Sequence, residues 1–175
     1  MDFELTHTFD CDLTHFETLF LDPAYLQFLE KTVPNIAKIE VLETHEAAGV
    51  LKRKVRYSPK AGAYKVGPKT VPTPWTVFDE ESSFTRGAHS LTFTNHPHIP
   101  QMLRDKFTNI GTLTLTADGP NRTRRVIRGE IHVKIFLVGR LAERVIYKAG
   151  TELIEQEAVA MKKYIAEKQV GAPKG

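Results

Sequence analysis

Apolar and polar residues alternate at the start of the chain, and the apolar positions all fall on one face. That face carries Phe3, Leu5, His7 and Phe9. A period of two is typical of a strand with one buried side, so residues 2–9 are predicted to form a β-strand. Asp12 is suited to cap a helix that runs to Phe20, and Asp22 followed by Pro23 begins a second helix. The first strand is therefore followed by two short helices.

The middle of the chain predicts antiparallel strands joined by turns. The alternating patterns place these strands at 36–43, 50–57, 75–78, 89–95, 107–117 and 124–137. Turns are expected near 45–49 and at 118–121, where the second has the sequence Asp-Gly-Pro-Asn. Between Pro59 and Pro74 the prolines and glycines are too frequent for a regular element, so a long loop is predicted there.

Helical spacing governs the C-terminal part of the chain. Apolar residues recur every three or four positions from 139 to 169, which predicts one helix about 45 Å long. Residues 171–175 are expected to form a frayed tail. A strand, two short helices, an antiparallel run of strands and a long helix indicate an α+β protein, predicted here as a single domain over 1–170.

Composition narrows the class of protein. With 175 residues, 41% of them hydrophobic, the chain has the content of one globular domain, which excludes a disordered or collagen-like protein. The single Cys11 excludes an internal disulfide and a thiolate zinc site, and we predict neither a cofactor nor a metal. The acidic N-terminus lacks the features of a secretory signal, and no apolar run is long enough to cross a bilayer. We therefore expect a cytoplasmic protein without integral membrane association.

Charge is unevenly distributed, although the net charge is only +3. Residues 47–78 contain no acid, and the stretch 52–69 is rich in lysine and arginine. This stretch is either a solvated strand edge and loop or an anion-attracting surface. The mild net charge does not indicate nucleic-acid binding. The arginines at 122, 124, 125 and 128 are expected to be solvated at the start of a strand, and His96 and His98 to lie in an exposed loop.

Three segments resemble the START-like superfamily, also called the helix-grip, SRPBCC or polyketide cyclase and lipid-transport superfamily. They are the opening Phe-Glu-Leu-Thr-His at 3–7, Leu-Asp-Pro-Ala-Tyr-Leu at 21–26, and Gly-Glu-Ile-His-Val-Lys-Ile-Phe-Leu-Val-Gly at 129–139, which runs into Leu-Ala-Glu at 141–143. Within that superfamily the chain is most similar to an uncharacterised bacterial START-like family. The resemblance covers nearly the whole chain and implies a curved antiparallel sheet wrapped around the long helix.

The resemblance also implies a cavity between sheet and helix, so the residues predicted to face that space are the candidate ligand-binding residues. They are His7, Arg53, Val55, Tyr57, His89, Leu91, Phe93, Gly129, Ile131, Val133, Val145, Ala149 and Leu153. No catalytic residue is assigned. Gly150 lies within the predicted helix, where glycine costs about 1 kcal/mol relative to alanine. It either widens a cavity or permits close packing of helix and sheet.

Three of these positions are polar among apolar neighbours. An inward Arg53 needs an acid, a bound anion or water, unless its side chain reaches the sheet edge. His7 and His89 are either hydrogen-bonded core histidines or acid–base groups. Neither histidine by itself indicates an enzyme.

Three functions are compatible with these observations. The first, implied by the resemblance, is non-enzymatic binding or transport of a small hydrophobic ligand, lipid or polyketide-like, with a polar or anionic head group. The candidates for contacting that head group are Arg53, Tyr57, His7 and His89. The second is a cyclase or aromatase that uses a pocket histidine. The third is a protein-interaction module that uses the basic stretch 52–69. The sequence leaves the ligand and the oligomeric state open.

Overall fold

The computed structural model describes residues 1–61, 65–66, 69–137 and 139–170. The strands are β1 (Asp2–Phe9), β2 (Ile36–Ala47), β3 (Val50–Pro59), β4 (Lys65–Val66), β5 (Lys69–Thr70), β6 (Phe78–Thr85), β7 (Ser90–Pro97), β8 (Phe107–Ala117) and β9 (Thr123–Val133). The helices are α1 (Leu13–Leu21), α2 (Pro23–Thr32), α3 (Thr73–Thr76), α4 (Gln101–Arg104) and α5 (Gly139–Val170). Seven strands form one antiparallel sheet in the order β1-β9-β8-β7-β6-β3-β2, and β4 pairs with β5. The predicted α+β helix-grip architecture is confirmed.

The two short helices begin at the predicted caps. The Asp12 side chain accepts a hydrogen bond from the backbone N–H of His15 at 3.0 Å, and that of Asp22 accepts from Ala24 at 2.9 Å. Each contact satisfies a backbone donor that a helix start leaves without an intrahelical partner. Pro23 occupies the first turn of α2, where its missing N–H costs nothing.

The sheet curves because one edge is irregular and its main hairpin is tight. The pairing of β2 with β3 shifts register twice, at 36–38 and at 41–43, and such bulges bend and twist a strand. The hairpin turns at Ala48 and Gly49, both with positive φ, which matches the right-handed twist of the flanking strands. The curved sheet presents its concave face to α5.

Several predicted boundaries are wrong. The strand expected at 75–78 is replaced by the short helix α3 and then by β6, whose inward positions are partly polar and therefore carry a weak hydrophobic signal. The last strand ends at Val133 rather than at the predicted residue 137, and the Val133 backbone N–H donates to Glu143 of α5 at 2.9 Å. His96 belongs to β7, and His98 Nε2 lies 3.0 Å from Asp79 Oδ1. Part of the predicted 59–74 loop and the predicted tail at 171–175 lie outside the described residues.

The two halves of α5 meet different surroundings. Its C-terminal half buries residues such as Met161 and Tyr164 against α1, α2 and the adjoining strands, where they join Phe9 and Phe16 in the core. Its N-terminal half lies over the remaining part of the concave face. Among the described residues, none of the helices combines the length and the apolar character required to cross a membrane.

A buried ion pair joins the sheet to α5. The Arg125 side chain on β9 is 1% exposed and donates through Nη1 to Glu157 Oε2. Tyr25 of α2 donates its hydroxyl to the other oxygen of the same carboxylate. The prediction that this arginine is solvated is wrong, since position 125 has the same parity as the inward residues Ile127 and Ile131.

Arg125→Leu leaves the Glu157 carboxylate without its cation, so we expect the free energy of unfolding to fall by about 3–5 kcal/mol. Urea denaturation measures this change. Arg128→Leu is the matched control, because Arg128 lies on the outer face of the same strand and its pair with Glu4 is exposed. The control should leave stability nearly unchanged, and equal losses in the two variants would contradict the role of the buried pair.

Candidate functional site

A cavity of about 640 Å³ lies between the concave face of the sheet and the N-terminal half of α5. Most of its wall is apolar, with Val55, Leu91, Phe93, Ile131 and Val133 from the sheet and Val145, Ala149 and Leu153 from the helix. At one end the short helices α3 and α4 contribute Trp75 and Leu103. The volume lies within the range of small-molecule sites, about 300–1,000 Å³.

The register of the sheet arranges the cavity floor in rows. Arg53, Ser82, Phe93, Gly111 and Gly129 are successive partners across β3, β6, β7, β8 and β9. The next row begins with Val55, Glu80 and Asn95. Because paired residues point to the same face, each row forms a band across the floor. The first band is polar at Arg53 and Ser82 and continues with Phe93 and the two glycines, and the second band is polar at Glu80 and Asn95.

Two paired glycines in the first row let aromatic rings lie against the sheet. A Cβ atom at Gly129 would stand 2.5 Å from the ring of Phe3, and one at Gly111 would stand 2.4 Å from the ring of Phe93. Both rings line the cavity. Because the two glycines have no side chains, the rings of Phe3 and Phe93 can lie directly on the backbone of Gly129 and Gly111. The cavity is deeper there by the thickness of a side chain.

Glu80 is the most unusual group in the cavity wall. Its carboxyl faces the cavity from β6, and among the described residues neither a hydrogen bond nor a cation stabilises its charge. Burial, together with the negative charge of Glu157, raises the pKa of Glu80 to about 7. The group can therefore be neutral or ionised near physiological pH.

The Arg125–Glu157–Tyr25 cluster forms a second polar part of the wall. All three residues line the cavity and are hydrogen-bonded to one another. Burial and the adjacent Glu157 carboxylate raise the pKa of Tyr25 well above its usual range, which keeps its hydroxyl protonated. The carboxylate of this cluster is thus paired within the protein, in contrast to that of Glu80, whereas the buried Arg125 Nε has no hydrogen-bond partner among the described residues.

Arg53 faces the cavity from β3, as predicted. Its Nη2 donates to the backbone carbonyl of Leu21, at the end of α1. Burial lowers the pKa of Arg53, because its nearest acids, Glu46 and Asp22, only partly compensate the loss of water. Tyr57 lies on the same strand and stacks on Phe78, with ring centroids 5.2 Å apart. Burial raises the pKa of Tyr57 well above its usual range.

Ten of the thirteen predicted site residues line the cavity. They are Arg53, Val55, Tyr57, Leu91, Phe93, Ile131, Val133, Val145, Ala149 and Leu153. The alternation of the strands and the helical spacing of α5 placed these side chains correctly. Whether they contact a ligand stays a prediction.

The other three predicted residues lie elsewhere. His7 is buried beside the cluster, with Nδ1 3.3 Å from Arg125 Nη2 and Nε2 3.2 Å from Glu155 Oε1. Burial and Arg125 lower its pKa. His89 precedes β7 in a left-handed conformation, with φ of 49°, and its Nδ1 lies 2.6 Å from Glu17 Oε2. Gly129 lies under the Phe3 ring. His7 and His89 thus each lie beside a carboxylate, Glu155 and Glu17 respectively, and both lie outside the cavity wall.

The sequence analysis missed the polar groups of the wall. Glu80 and Ser82 were missed because β6 was not recognised, although Phe78, Glu80, Ser82 and Phe84 occupy alternate positions and all line the cavity. Asn95 and Asn109 also face the cavity, each at an inward position of its strand. Glu157 lies on α5 one turn after Leu153, so the helical spacing could have identified it.

The basic stretch 52–69 is partly neutralised where the structure describes it. On the outer face of the sheet, Lys54 Nζ lies 2.9 Å from Glu81, and Arg56 forms two hydrogen bonds with Asp79, at 2.7 and 3.0 Å. The acids come from β6, the neighbouring strand. This part of the stretch is therefore a solvated sheet face with cross-strand ion pairs, which agrees with the first of the two interpretations.

Comparison with known families gives one match over most of the chain. A family model described as a protein of unknown function (DUF2505) matches residues 4–165. The chain belongs to this family. No curated protein matches the sequence of this DUF2505 member.

Solved structures resemble the DUF2505 member over nearly its full length. The Zhui aromatase/cyclase from Streptomyces sp. R1128 has a TM-score of 0.65 at 14% identity and covers 100% of this chain and 98% of its own. Norcoclaurine synthase from Thalictrum flavum has a TM-score of 0.65 at 15% identity, and the match covers 95% of this chain and 87% of the synthase. A START superfamily protein from Mycobacterium smegmatis has a TM-score of 0.57 at 13% identity, and the match covers 95% of this chain and 97% of that protein. At these identities the likeness establishes the fold, and the predicted helix-grip fold of START-like proteins is confirmed.

Gly150→Leu should reduce the capacity of the cavity, because Gly150 lines it and a Cβ atom there would meet nothing within 4 Å. The variant should keep or gain stability, since leucine is a better helix former by about 1 kcal/mol. Binding of the neutral fluorescent probe N-phenyl-1-naphthylamine measures the capacity. Lys148→Leu, on the exposed side of α5, is the control. Unaltered probe binding in Gly150→Leu would place the binding space elsewhere.

Glu80→Gln should change how stability depends on pH. The folded state holds the Glu80 proton up to its pKa of about 7, whereas the unfolded chain loses it near 4.5. The free-energy cost of burying the ionised Glu80 carboxylate is thus absent at low pH and develops as pH rises from 4.5 to about 7. Across this window the wild type should lose about 3 kcal/mol of unfolding free energy relative to the variant. Parallel stability curves from denaturation at several pH values would contradict the assignment.

Proposed function

We propose that this protein binds or transports a small hydrophobic ligand, lipid or polyketide-like, in the cavity between the sheet and α5, without chemical turnover. The observation that supports this proposal is the cavity of about 640 Å³, whose wall is largely apolar and whose polar groups are few. Burial of a ligand contributes about 0.8 kcal/mol for each methylene that leaves water. A medium-length chain or a fused aromatic system would therefore bind with few polar contacts.

We also propose that Arg53 contacts an anionic or polar head group. Its guanidinium reaches the cavity wall and donates one hydrogen bond to a backbone carbonyl. The remaining N–H groups of the guanidinium can therefore donate to a ligand. The opposing charge of a head group would compensate for the desolvation of Arg53. The ligand would then lie with its apolar part toward Phe93 and α5.

A second candidate is an aromatase or cyclase activity, as the names of some structural neighbours suggest. The histidines expected to act as acid–base groups lie outside the cavity wall. Glu80 is the specific observation that favours this candidate, because a cavity carboxyl with a pKa of about 7 is suited to proton transfer. The interaction module receives less support, since the ion pairs of the outer face reduce the free positive charge of the basic stretch.

Mass spectrometry of the native protein, before and after denaturation, tests the leading proposal. A stoichiometric small molecule that is released on denaturation would support it and would identify the chemical class. A product that differs from the supplied ligand after incubation would instead support the enzyme. An empty protein that also fails to bind fatty acids, phospholipids and polyketides would contradict both and favour the interaction module.

Arg53→Leu should weaken binding of dodecanoate by about 2 kcal/mol, because the anionic head group would lose a charged donor in a buried site. Calorimetric titration measures this loss. Lys52→Leu removes a cation from the neighbouring, outward position and should leave the affinity unchanged. Equal affinities for wild type and Arg53→Leu would refute the role of Arg53 in head-group binding.

A further inference from the structure

We propose that Glu80 and Asn95 form a polar subsite that binds a hydroxyl group carried by an otherwise apolar ligand. This inference rests on the proposed ligand-binding function and names a chemical feature of the ligand. The two residues are direct cross-strand partners of β6 and β7 and both line the cavity. Asn109, on β8, lines the same cavity and extends the polar band across the floor.

The unsatisfied hydrogen-bonding capacity of this pair is the observation that points to a ligand. Asn95 Oδ1 is fully buried and has no hydrogen-bond partner in the described part of the chain. Glu80 is half-buried, and its carboxyl faces the same cavity without a hydrogen-bond partner in that part of the chain. Buried polar groups are normally hydrogen-bonded, and a buried acceptor without a donor is unfavourable. A bound group that enters the cavity can supply the missing contacts.

The chemistry of the pair selects a hydroxyl. Whichever way the Asn95 carboxamide is turned, it offers either an acceptor or a donor, and a hydroxyl satisfies both. The Glu80 carboxyl donates when protonated and accepts when ionised, and a hydroxyl again pairs with each form. A hydrocarbon would leave both residues unsatisfied. A carboxylate placed at this subsite would be repelled once Glu80 ionises.

Other charged and titratable groups also face the cavity. Glu157, on α5, is held by Arg125 of β9 and Tyr25 of α2. On β3, Tyr57 keeps its proton because burial raises its pKa, and Arg53 remains a cation. Near neutral pH the cavity therefore changes its charge at Glu80, whose pKa is raised to about 7.

Competition against N-phenyl-1-naphthylamine with naphthalene, 2-naphthol and 2-naphthoate tests the subsite. In the wild type, 2-naphthol should bind about tenfold more tightly than naphthalene, although it is the less hydrophobic of the two. Asn95→Leu should abolish this preference. Thr94→Val, on the outer face of the same strand, should preserve it. Asn95→Ala gives the same comparison without added bulk if the leucine variant does not fold.

The pH dependence gives an independent readout. Between about pH 6 and pH 8 the wild type should lose about tenfold in affinity for 2-naphthoate, and Glu80→Gln should show no such loss. Equal binding of 2-naphthol and naphthalene by the wild type would overturn the subsite, as would an unchanged preference in the Asn95 variants. Absence of binding by the fluorescent probe and all three competitors would instead contradict the proposed ligand-binding function itself.

Discussion

The buried ion pair between Arg125 and Glu157 governs how α5 lies over the sheet. A guanidinium that is almost fully buried is tolerated only while its carboxylate stays within hydrogen-bond reach, so the helix is fixed to β9 at this point. Tyr25 binds the same carboxylate and brings α2 into the arrangement. On the C-terminal side of the pair α5 packs into the core, and on the N-terminal side it lines the cavity. The ion pair therefore lies between the hydrophobic core and the cavity.

The polar groups of the cavity fall into two kinds. Arg125, Glu157 and Tyr25 are hydrogen-bonded to one another, although the buried Arg125 Nε has no partner among the described residues, and they join the sheet to the helices. Glu80 and Asn95 have no such partners among the described residues, and their contribution is available to whatever enters the cavity. Arg53 is intermediate, because one backbone carbonyl occupies part of its hydrogen-bonding capacity. Similar residue types thus differ in role according to how completely the protein itself pairs them.

The architecture could be predicted from the sequence because strand alternation, helix caps and the spacing of α5 are local signals. The apolar wall followed from the same signals, as Leu91 and Val145 illustrate. The polar wall did not, because β6 places Glu80 and Ser82 at inward positions and thereby lacks the apolar alternation that identifies a strand. Arg125 was misassigned because its charge suggested solvent, although its parity indicated the interior. The partners that make its burial possible lie far away in sequence and become adjacent only in the fold.

The two glycines in the floor have a consequence for how a family with this fold can diversify. The depth of the cavity is set at Gly111 and Gly129, which hold no ligand-contacting groups of their own and act through the rings of Phe93 and Phe3. The polar character of the cavity is set one row away, at Glu80 and Asn95. The depth and the polarity of the cavity are thereby encoded at separate positions, so a substitution in one row can change the depth without altering the polar groups of the other.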